Sequence, residues 1–190
     1  MKLVLASKSP RRRELLSLCT SDFEIRVSDA DESYESALTP CEIAKHIATQ
    51  KALAVTRGEN EIIIGCDTIV VSPDGEIMGK PKDSADAIRM LEKLSSSAHE
   101  VISGVCVLSN DKMYAESVVT TVHMRELDSK EINTYVTRFN PTDKAGAYGI
   151  QEMAGAFVKG IDGDFFNVVG LPLCRLSEIL RDEFEFPITY

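Results

Sequence analysis

Residues 3–13 have the sequence Leu-Val-Leu-Ala-Ser-Lys-Ser-Pro-Arg-Arg-Arg, which joins a short apolar run to the start of a helix. The apolar residues predict a buried strand. Ser9 suits the N-cap of a helix and Pro10 its first position, so three arginines fall where the helix dipole is already positive. Each cation there costs on the order of 0.3–1 kcal/mol. A phosphate bound at this helix start would reverse that cost, and a solvated basic helix end is the alternative interpretation.

The segments beyond this turn alternate between strand and helix patterns. The predicted strands are Phe23–Val27, the β-rich run Ile62–Val71, His99–Leu108, Tyr114–Met124, Phe157–Ile161 and Asn167–Val169. The predicted helices are Pro10–Leu18, a long helix from Pro40 to near Gly58, Ser84–Leu94, Asp128–Thr137 and Leu171–Leu180. This order predicts an α/β fold with a mixed β-sheet and flanking helices, in one domain over residues 1–190.

Composition and charge limit the partners of this chain. It has 190 residues and a formal net charge of −9, from 21 Lys and Arg against 30 Asp and Glu. A chain of this charge is poorly suited to bind nucleic acid or an anionic membrane. No apolar stretch approaches transmembrane length. The five cysteines form no C-x-x-C motif, which favours buried, reduced thiols in a cytoplasmic protein. An anion must therefore be held by a local cluster of cations.

A carboxylate interrupts the β-rich run. Asp67 alternates with Ile69 and Val71 on one face of the predicted strand. A buried carboxylate is costly unless it is paired, hydrogen-bonded or bound to a metal, so Asp67 is a candidate general base. The alternative is that a bend at Gly65 carries Asp67 to the surface.

Three further charged residues are candidates for the same chemistry. Lys51 falls in the apolar stripe of the long helix, where it either reaches an anion in a cleft or snorkels to the surface. Lys80 follows a turn and is set in extended backbone by Pro81, and Glu32 lies in an acidic loop. If Glu32 faces Asp67, the two carboxylates would hold Mg²⁺ or Mn²⁺ together with phosphate oxygens. Phosphoanhydride chemistry requires cations that bind the phosphates and carboxylates that hold a metal. The chain has no P-loop motif.

Five segments together resemble the signature blocks of the Maf proteins, in the order of that family and across nearly the whole chain. They are Ser7–Arg12, Gly65–Thr68, Gly79–Pro81, Lys144–Gln151 and Asn167–Pro172. The resemblance implies a house-cleaning nucleoside triphosphate pyrophosphatase that cleaves between the α- and β-phosphates with a divalent metal, Mg²⁺, Mn²⁺ or Co²⁺. It also implies an elongated mixed sheet with two lobes around a cleft, similar to the inosine triphosphate pyrophosphatases, and it is compatible with a homodimer.

The resemblance also implies roles for individual residues. Asp67 takes the position of the catalytic proton acceptor and Glu32 that of an essential acid, and both are the implied metal ligands. The implied substrate-binding residues are Ser7, Arg11, Arg12, Lys51 and Lys80. The implied base-selecting residues are Arg12, Thr68 and Gln151. The Asp67-Thr68 pair and the Gly149-Ile150-Gln151 segment are similar to the subfamily that acts on dTTP and UTP.

The sequence leaves three other functions open. A phosphatase would release orthophosphate instead of pyrophosphate. A non-catalytic nucleotide-binding regulator of cell division or septum formation would use the same cations and would not need Asp67 or Glu32. An RNA-binding module would need a basic surface with interleaved aromatic residues, and the net charge of −9 argues against one.

Overall fold

The computed structural model describes residues 1–27 and 29–188. Its strands are β1 (Lys2–Leu5), β2 (Phe23–Ile25), β3 (Glu61–Val71), β4 (Ile77–Met78), β5 (Ala98–Leu108), β6 (Met113–Met124) and β7 (Val158–Asp162). Its helices are α1 (Pro10–Ser17), α2 (Pro40–Leu53), α3 (Ser84–Leu94), α4 (Ser129–Phe139), α5 (Phe165–Val169) and α6 (Leu173–Phe184). Among these described residues, no helix has the length and apolar character needed to cross a membrane.

The strands join in a seven-stranded sheet in the order β2-β1-β3-β5-β6-β7, with β4 paired to β3. Strand β1 runs parallel to β2 and to β3, so that Leu5 lies beside both Ile25 and Ile64. The β3–β4 and β6–β7 pairs are antiparallel. The sheet is therefore mixed, and with its helices it confirms the predicted α/β class.

The opening turn folds as the sequence predicts. Residues Leu3 to Leu5 of β1 are buried. Ser9 is the N-cap of α1, because its hydroxyl accepts a hydrogen bond from the backbone N–H of Arg12 at 3.5 Å, and Pro10 is the first helical residue. The first turn of α1 holds no acidic residue to offset its arginines. The positive end of the helix and the arginine side chains therefore coincide.

Helix α2 begins where the sequence predicts and ends earlier. Thr39 and Glu42 form a capping box: the Thr39 hydroxyl accepts from the Glu42 N–H at 3.3 Å, and the Glu42 carboxylate accepts from the Thr39 N–H at 2.8 Å. The helix ends at Leu53, short of Gly58, and the N–H of its C-cap residue Ala54 donates to the Gln50 carbonyl. The carbonyl of Asn60 then accepts the N–H of Lys2 at 2.9 Å, which sets β3 beside β1.

Two glycines let α2 pack directly on the sheet. A Cβ atom on Gly65 of β3 would lie 2.2 Å from the Ala48 carbonyl oxygen. A Cβ atom on Gly104 of β5 would lie 1.9 Å from the Ala44 carbonyl oxygen. Only glycine permits a helix backbone to come so close to a strand. Strand β3 continues through Gly65 without interruption, so the bend that would expose Asp67 does not form.

The chain divides into two compact units. The first consists of Met1–Thr68, Ser103–Val118 and the C-terminal segment that begins at Phe166. The second consists of Ile69–Ile102 and Val119–Phe165. Helices α1, α2 and α6 belong to the first unit, and α3 and α4 belong to the second. The single domain over residues 1–190 stays a prediction.

The prediction of a short strand at Asn167–Val169 is wrong, because these residues form the end of helix α5. The buried Asn167 amide donates from Nδ2 to the Val118 carbonyl at 3.2 Å. Gly170 then ends the helix with φ +128°, and its N–H donates to the Phe166 carbonyl at 3.0 Å. The β preference of two valines depends on context, and here a tertiary hydrogen bond and a glycine helix end override it.

Candidate active site

An ion pair connects helix α2 to strand β3. The Lys51 ammonium Nζ lies 2.6 Å from Oδ1 of Asp67, and each side chain is 13% exposed. Lys51 follows Ala48 by about one helical turn, and Asp67 follows Gly65 on the same face of β3. The close packing of helix on strand at Ala48 and Gly65 therefore brings the two charged side chains together. Lys51 is directed at this carboxylate rather than at the open surface.

Glu32 supplies a second carboxylate at the same ammonium. Its Oε1 atom lies 3.1 Å from Lys51 Nζ, and its side chain, in the loop after β2, is 61% exposed. An exposed pair of this kind contributes at most about 1 kcal/mol. Breaking the enclosed Lys51–Asp67 pair is costlier, because it leaves a charge with little access to water. The structure thus brings Glu32, Lys51 and Asp67 into one cluster.

Arg12 donates hydrogen bonds to three neutral oxygens. Its Nε reaches the Gly170 carbonyl at 2.9 Å. Its two terminal nitrogens reach the hydroxyls of Ser7 at 3.4 Å and Thr68 at 3.2 Å. Within the part of the chain that the structure describes, none of these acceptors is a carboxylate, so these three contacts form no ion pair with the half-buried guanidinium. Its remaining N–H groups are left for an anionic or polar ligand.

Ser7 and Arg11 lie at the same helix start. Ser7 is buried, and its hydroxyl accepts from the backbone N–H of Ser9 at 3.2 Å as well as from Arg12. Arg11 is half-buried in the first turn of α1, whereas Arg13 is exposed. The end of β1 therefore collects hydroxyl and guanidinium groups at the positive end of a helix, an arrangement that favours an anion.

Thr68 follows Asp67 on β3, so its side chain points to the opposite face of the sheet. Besides the hydrogen bond from Arg12, the Thr68 hydroxyl lies 2.8 Å from the hydroxyl of Ser103 and 3.3 Å from the Gly170 carbonyl. Ser103 is fully buried on β5. Sequence reasoning missed Ser103, and the one available signal was a hydroxyl within an apolar β-rich run. Adjacent residues of β3 thus hold the Lys51 contact on one face and the Arg12 contact on the other.

The Gly170 carbonyl also accepts from a thiol. Cys66 is fully buried, and its Sγ donates to this oxygen at 3.3 Å. Burial raises the pKa of the Cys66 thiol, which keeps it protonated and able to donate. All five cysteines are free, as the sequence predicts, but the prediction that they are buried holds only for Cys66 and Cys106, since Cys174 is exposed and the other two are half-buried.

Lys80 and Gln151 belong to the second compact unit, and both are exposed. Within that unit the Gly79 carbonyl accepts the N–H of Gly146 at 3.2 Å, so the Lys80 segment lies beside residues 146–149, a glycine-rich turn. The participation of Lys80 and Gln151 in the site stays a prediction from the resemblance.

Three buried side chains with polar groups, His99, Tyr148 and Lys144, hold the segment that leads to Gln151. His99 Nε2 and the Tyr148 hydroxyl are 2.7 Å apart. Burial lowers the pKa of His99 to about 4, so the imidazole is neutral at pH 7. Lys144 is buried, and its Nζ lies 3.2 Å from Oε2 of Glu152. These contacts fix the backbone on both sides of the glycine-rich turn.

The carboxylates of Glu32 and Asp67 are the candidate metal ligands. In residues 1–27 and 29–188, no group of three or more His, Cys, Asp or Glu is placed to hold a metal ion. The two carboxylates already converge on one cationic group, Lys51. Their oxygens suit a hard divalent cation whose remaining ligands are water and phosphate oxygens. The residues present therefore fit a metal that binds together with a phosphorylated substrate.

The fold and the site define an α/β protein in which an arginine at a helix start is hydrogen-bonded to Thr68, the strand residue that follows the ion-paired carboxylate of Asp67. The chain belongs to the Maf family, because the family model described as "Maf-like protein" matches residues 2–183.

Three relatives share the name dTTP/UTP pyrophosphatase. The protein from Acetivibrio thermocellus is 48% identical over 192 residues, covering 96% of this chain and 95% of the relative. The protein from Geobacter metallireducens is 48% identical over 183 residues, covering 95% of each. The protein from Bacillus cereus is 43% identical over 190 residues, covering 100% of this chain and 98% of the relative.

Two solved structures are also similar to this chain. The Staphylococcus aureus Ham1 protein has a TM-score of 0.47 and 16% identity, with 65% of this chain and 72% of that chain covered. A HAM1 protein from Coxiella burnetii has a TM-score of 0.44 and 15% identity, with 65% and 73% covered.

Proposed function

We propose that this chain hydrolyses dTTP and UTP to the nucleoside monophosphate and pyrophosphate. Relatives of that name match nearly its whole length at 43% to 48% identity. The observation that carries the proposal lies on β3, where Asp67 is paired with Lys51 and the next residue, Thr68, is bonded to Arg12. A carboxylate with cationic groups bound along the same stretch of strand suits the cleavage of a phosphoanhydride.

The triphosphate binds at the start of α1. Arg11, Arg12 and the backbone N–H groups of the first helical turn favour its negative charge, and the Ser7 hydroxyl holds the Arg12 side chain in place. Lys51 contributes further positive charge as a compact ammonium, and the resemblance implies the same role for Lys80. The acidic net charge of the chain makes this local cluster necessary for binding an anion.

Asp67 accepts the proton of the attacking water. The water oxygen forms a bond to the α-phosphorus, its proton passes to the carboxylate, and the bond from the α-phosphorus to the bridging oxygen breaks. Pyrophosphate leaves with that bonding electron pair. Lys51 fixes one carboxylate oxygen, Oδ1, at 2.6 Å, which orients the carboxylate and leaves Oδ2 for the water. Positioning and charge stabilisation account for most of the rate enhancement in such reactions.

Glu32 and Asp67 would hold the divalent cation, Mg²⁺, Mn²⁺ or Co²⁺. A bound cation of this kind supplies positive charge at the phosphate oxygens. Because Lys51 contacts both carboxylates, it offsets their mutual repulsion before substrate arrives.

The resemblance implies that Arg12, Thr68 and Gln151 select the base. A guanidinium offers donors only, a hydroxyl offers one donor and acceptor lone pairs, and an amide offers both. The hydrogen bond from Arg12 to Thr68 fixes the position of the guanidinium relative to the hydroxyl.

Pyrophosphate release from a panel of nucleoside triphosphates tests this function, with each metal supplied in turn. We expect dTTP and UTP to be preferred, with monophosphate and pyrophosphate as products. Asp67→Asn should reduce the rate by about 10²–10⁴-fold. Asp111→Asn is the matched control, because it removes the same charge from an exposed hairpin turn of the same unit.

The products and the variant distinguish the rival functions. Release of orthophosphate would instead indicate a phosphatase. Nucleotide binding without turnover, unchanged in a folded Asp67→Asn variant, would indicate a non-catalytic regulator. We also propose a homodimer, testable by light scattering, and a cytoplasmic location, which the five free cysteines favour.

A further inference from the structure

Ser103 connects the Arg12–Thr68 contact to the interior of the first unit. Its side chain is fully buried on β5, where an unpaired hydroxyl would be costly. The Ser103 hydroxyl lies 2.8 Å from that of Thr68 and 3.4 Å from the Asn167 carbonyl. It has no direct contact with Arg12 among the described residues. Any influence on the site must therefore pass through Thr68.

A count of protons determines which hydroxyl donates to the other. Arg12 can only donate, so one lone pair of the Thr68 hydroxyl is taken by its guanidinium at 3.2 Å. The Thr68 proton then goes either to Ser103 or to the Gly170 carbonyl. That carbonyl already accepts from Arg12 at 2.9 Å and from Cys66 at 3.3 Å, which uses both of its lone pairs. The proton of Thr68 is therefore directed to Ser103, whose own proton goes to Asn167.

This direction of donation decides what Thr68 offers to a ligand. With its proton given to Ser103 and one lone pair given to Arg12, the Thr68 hydroxyl retains one lone pair as an acceptor. The neighbouring guanidinium retains N–H donors. An acceptor beside a donor complements the N3–H and the adjacent carbonyl of uracil and thymine. Cytosine presents an unprotonated N3 at that place and lacks the matching donor.

We infer that Ser103 is a positioning residue for base selection: it holds the Thr68 hydroxyl as an acceptor next to Arg12, and so favours uracil and thymine over cytosine. The inference rests on the proposed function. A chain of hydrogen bonds that begins at a charged group is strengthened by polarisation along its length. Removal of the Ser103 hydroxyl frees the Thr68 proton, so that Thr68 presents a donor as readily as an acceptor.

The test compares kcat/KM for UTP and for CTP, measured as pyrophosphate release, in the full-length protein. One net hydrogen bond corresponds to a change of about 2- to 10-fold, so Ser103→Ala should reduce the UTP-to-CTP ratio by that factor. Ser103→Thr, which restores a hydroxyl, should return the ratio toward that of the unaltered protein. Ser72→Ala is the matched control, because it removes a buried serine hydroxyl in the second unit and should leave the ratio unchanged.

A double-mutant cycle separates this role from a structural one. In a Thr68→Val background, Ser103→Ala should have no further effect on the ratio, because the hydroxyl through which it acts is absent. An unchanged ratio in a folded Ser103→Ala protein, or an equal change with and without Thr68, would overturn the inference. If Ser103→Ala does not fold, the UTP-to-CTP ratio of Ser103→Cys is compared with that of Ser103→Thr instead. Failure of the unaltered protein to release pyrophosphate would instead refute the proposed function.

Discussion

Replacement of Gly65 by alanine tests whether the distance between α2 and β3 controls the site. The added Cβ would lie 2.2 Å from the Ala48 carbonyl oxygen and 2.8 Å from the Ala52 nitrogen. Both are backbone atoms, so no side-chain rotation relieves the overlap. Ordinary contact begins near 3.4 Å, so the helix must retreat by about 1.2 Å.

The retreat would separate the ion pair of the site. If α2 moves as a rigid body, the Lys51–Asp67 distance grows from 2.6 Å to about 3.8 Å, beyond hydrogen-bond range. Overpacking of this kind costs about 3 kcal/mol, at the upper end of the usual range. A displacement of about 1 Å in a catalytic group costs on the order of 10²-fold in rate. We therefore expect Gly65→Ala to lose both stability and activity.

Urea unfolding and pyrophosphate release, measured on the same preparation well below the melting temperature, check this prediction. Gly160→Ala is the control, because nothing lies within 4 Å of a Cβ at that glycine of β7. Its stability should change by no more than about 0.5 kcal/mol. A Gly65→Ala protein as stable and active as the unaltered one would refute the reasoning about close packing. Lost stability with full activity would show that the position of Lys51 is not critical.

Two further predictions concern buried side chains of the second unit. Burial lowers the pKa of His99 from its ordinary value of 6.5 to about 4, so only the unfolded chain binds a proton between these pH values. The resulting contribution to the free energy of unfolding, up to about 3 kcal/mol, is present above pH 6.5 and is lost as the pH falls toward 4. The His99→Gln variant should lack this part of the pH dependence in unfolding experiments. Lys144→Met should change stability by less than about 1 kcal/mol. The Asp143 and Glu152 carboxylates are 58% and 43% exposed, so water replaces the lost ammonium. A loss above about 2 kcal/mol in thermal unfolding would contradict this.

Local signals in the sequence were sufficient for most of the secondary structure. Ser9 and Pro10 mark the start of α1, and helix α3 has the predicted bounds, because caps and apolar periodicity act within a few residues. The segment Asn167–Val169 was predicted wrongly, since its helix depends on a hydrogen bond to Val118, which lies 49 residues away in sequence. The short strand β4 was not predicted, because two residues carry no recognisable alternation.

For the candidate site as well, some features could be predicted from the sequence and others could not. The sequence indicates the residue types, an arginine-rich helix start and a carboxylate within an apolar strand, since both violate local expectations. It does not reveal the contact of Ser103 with Thr68, which lies 35 residues away in sequence. Nor does it show that Gly65 and Gly104 let α2 approach the sheet.

The sequence by itself determined most of the strands and helices and which charges are exceptional, because these follow from the chemistry of neighbouring residues. Only the tertiary structure decided that Lys51 is paired with Asp67 and that Arg12 donates to Thr68. Those contacts depend on how closely a helix docks on a strand, and docking distance is set by backbone atoms that are far apart in the sequence.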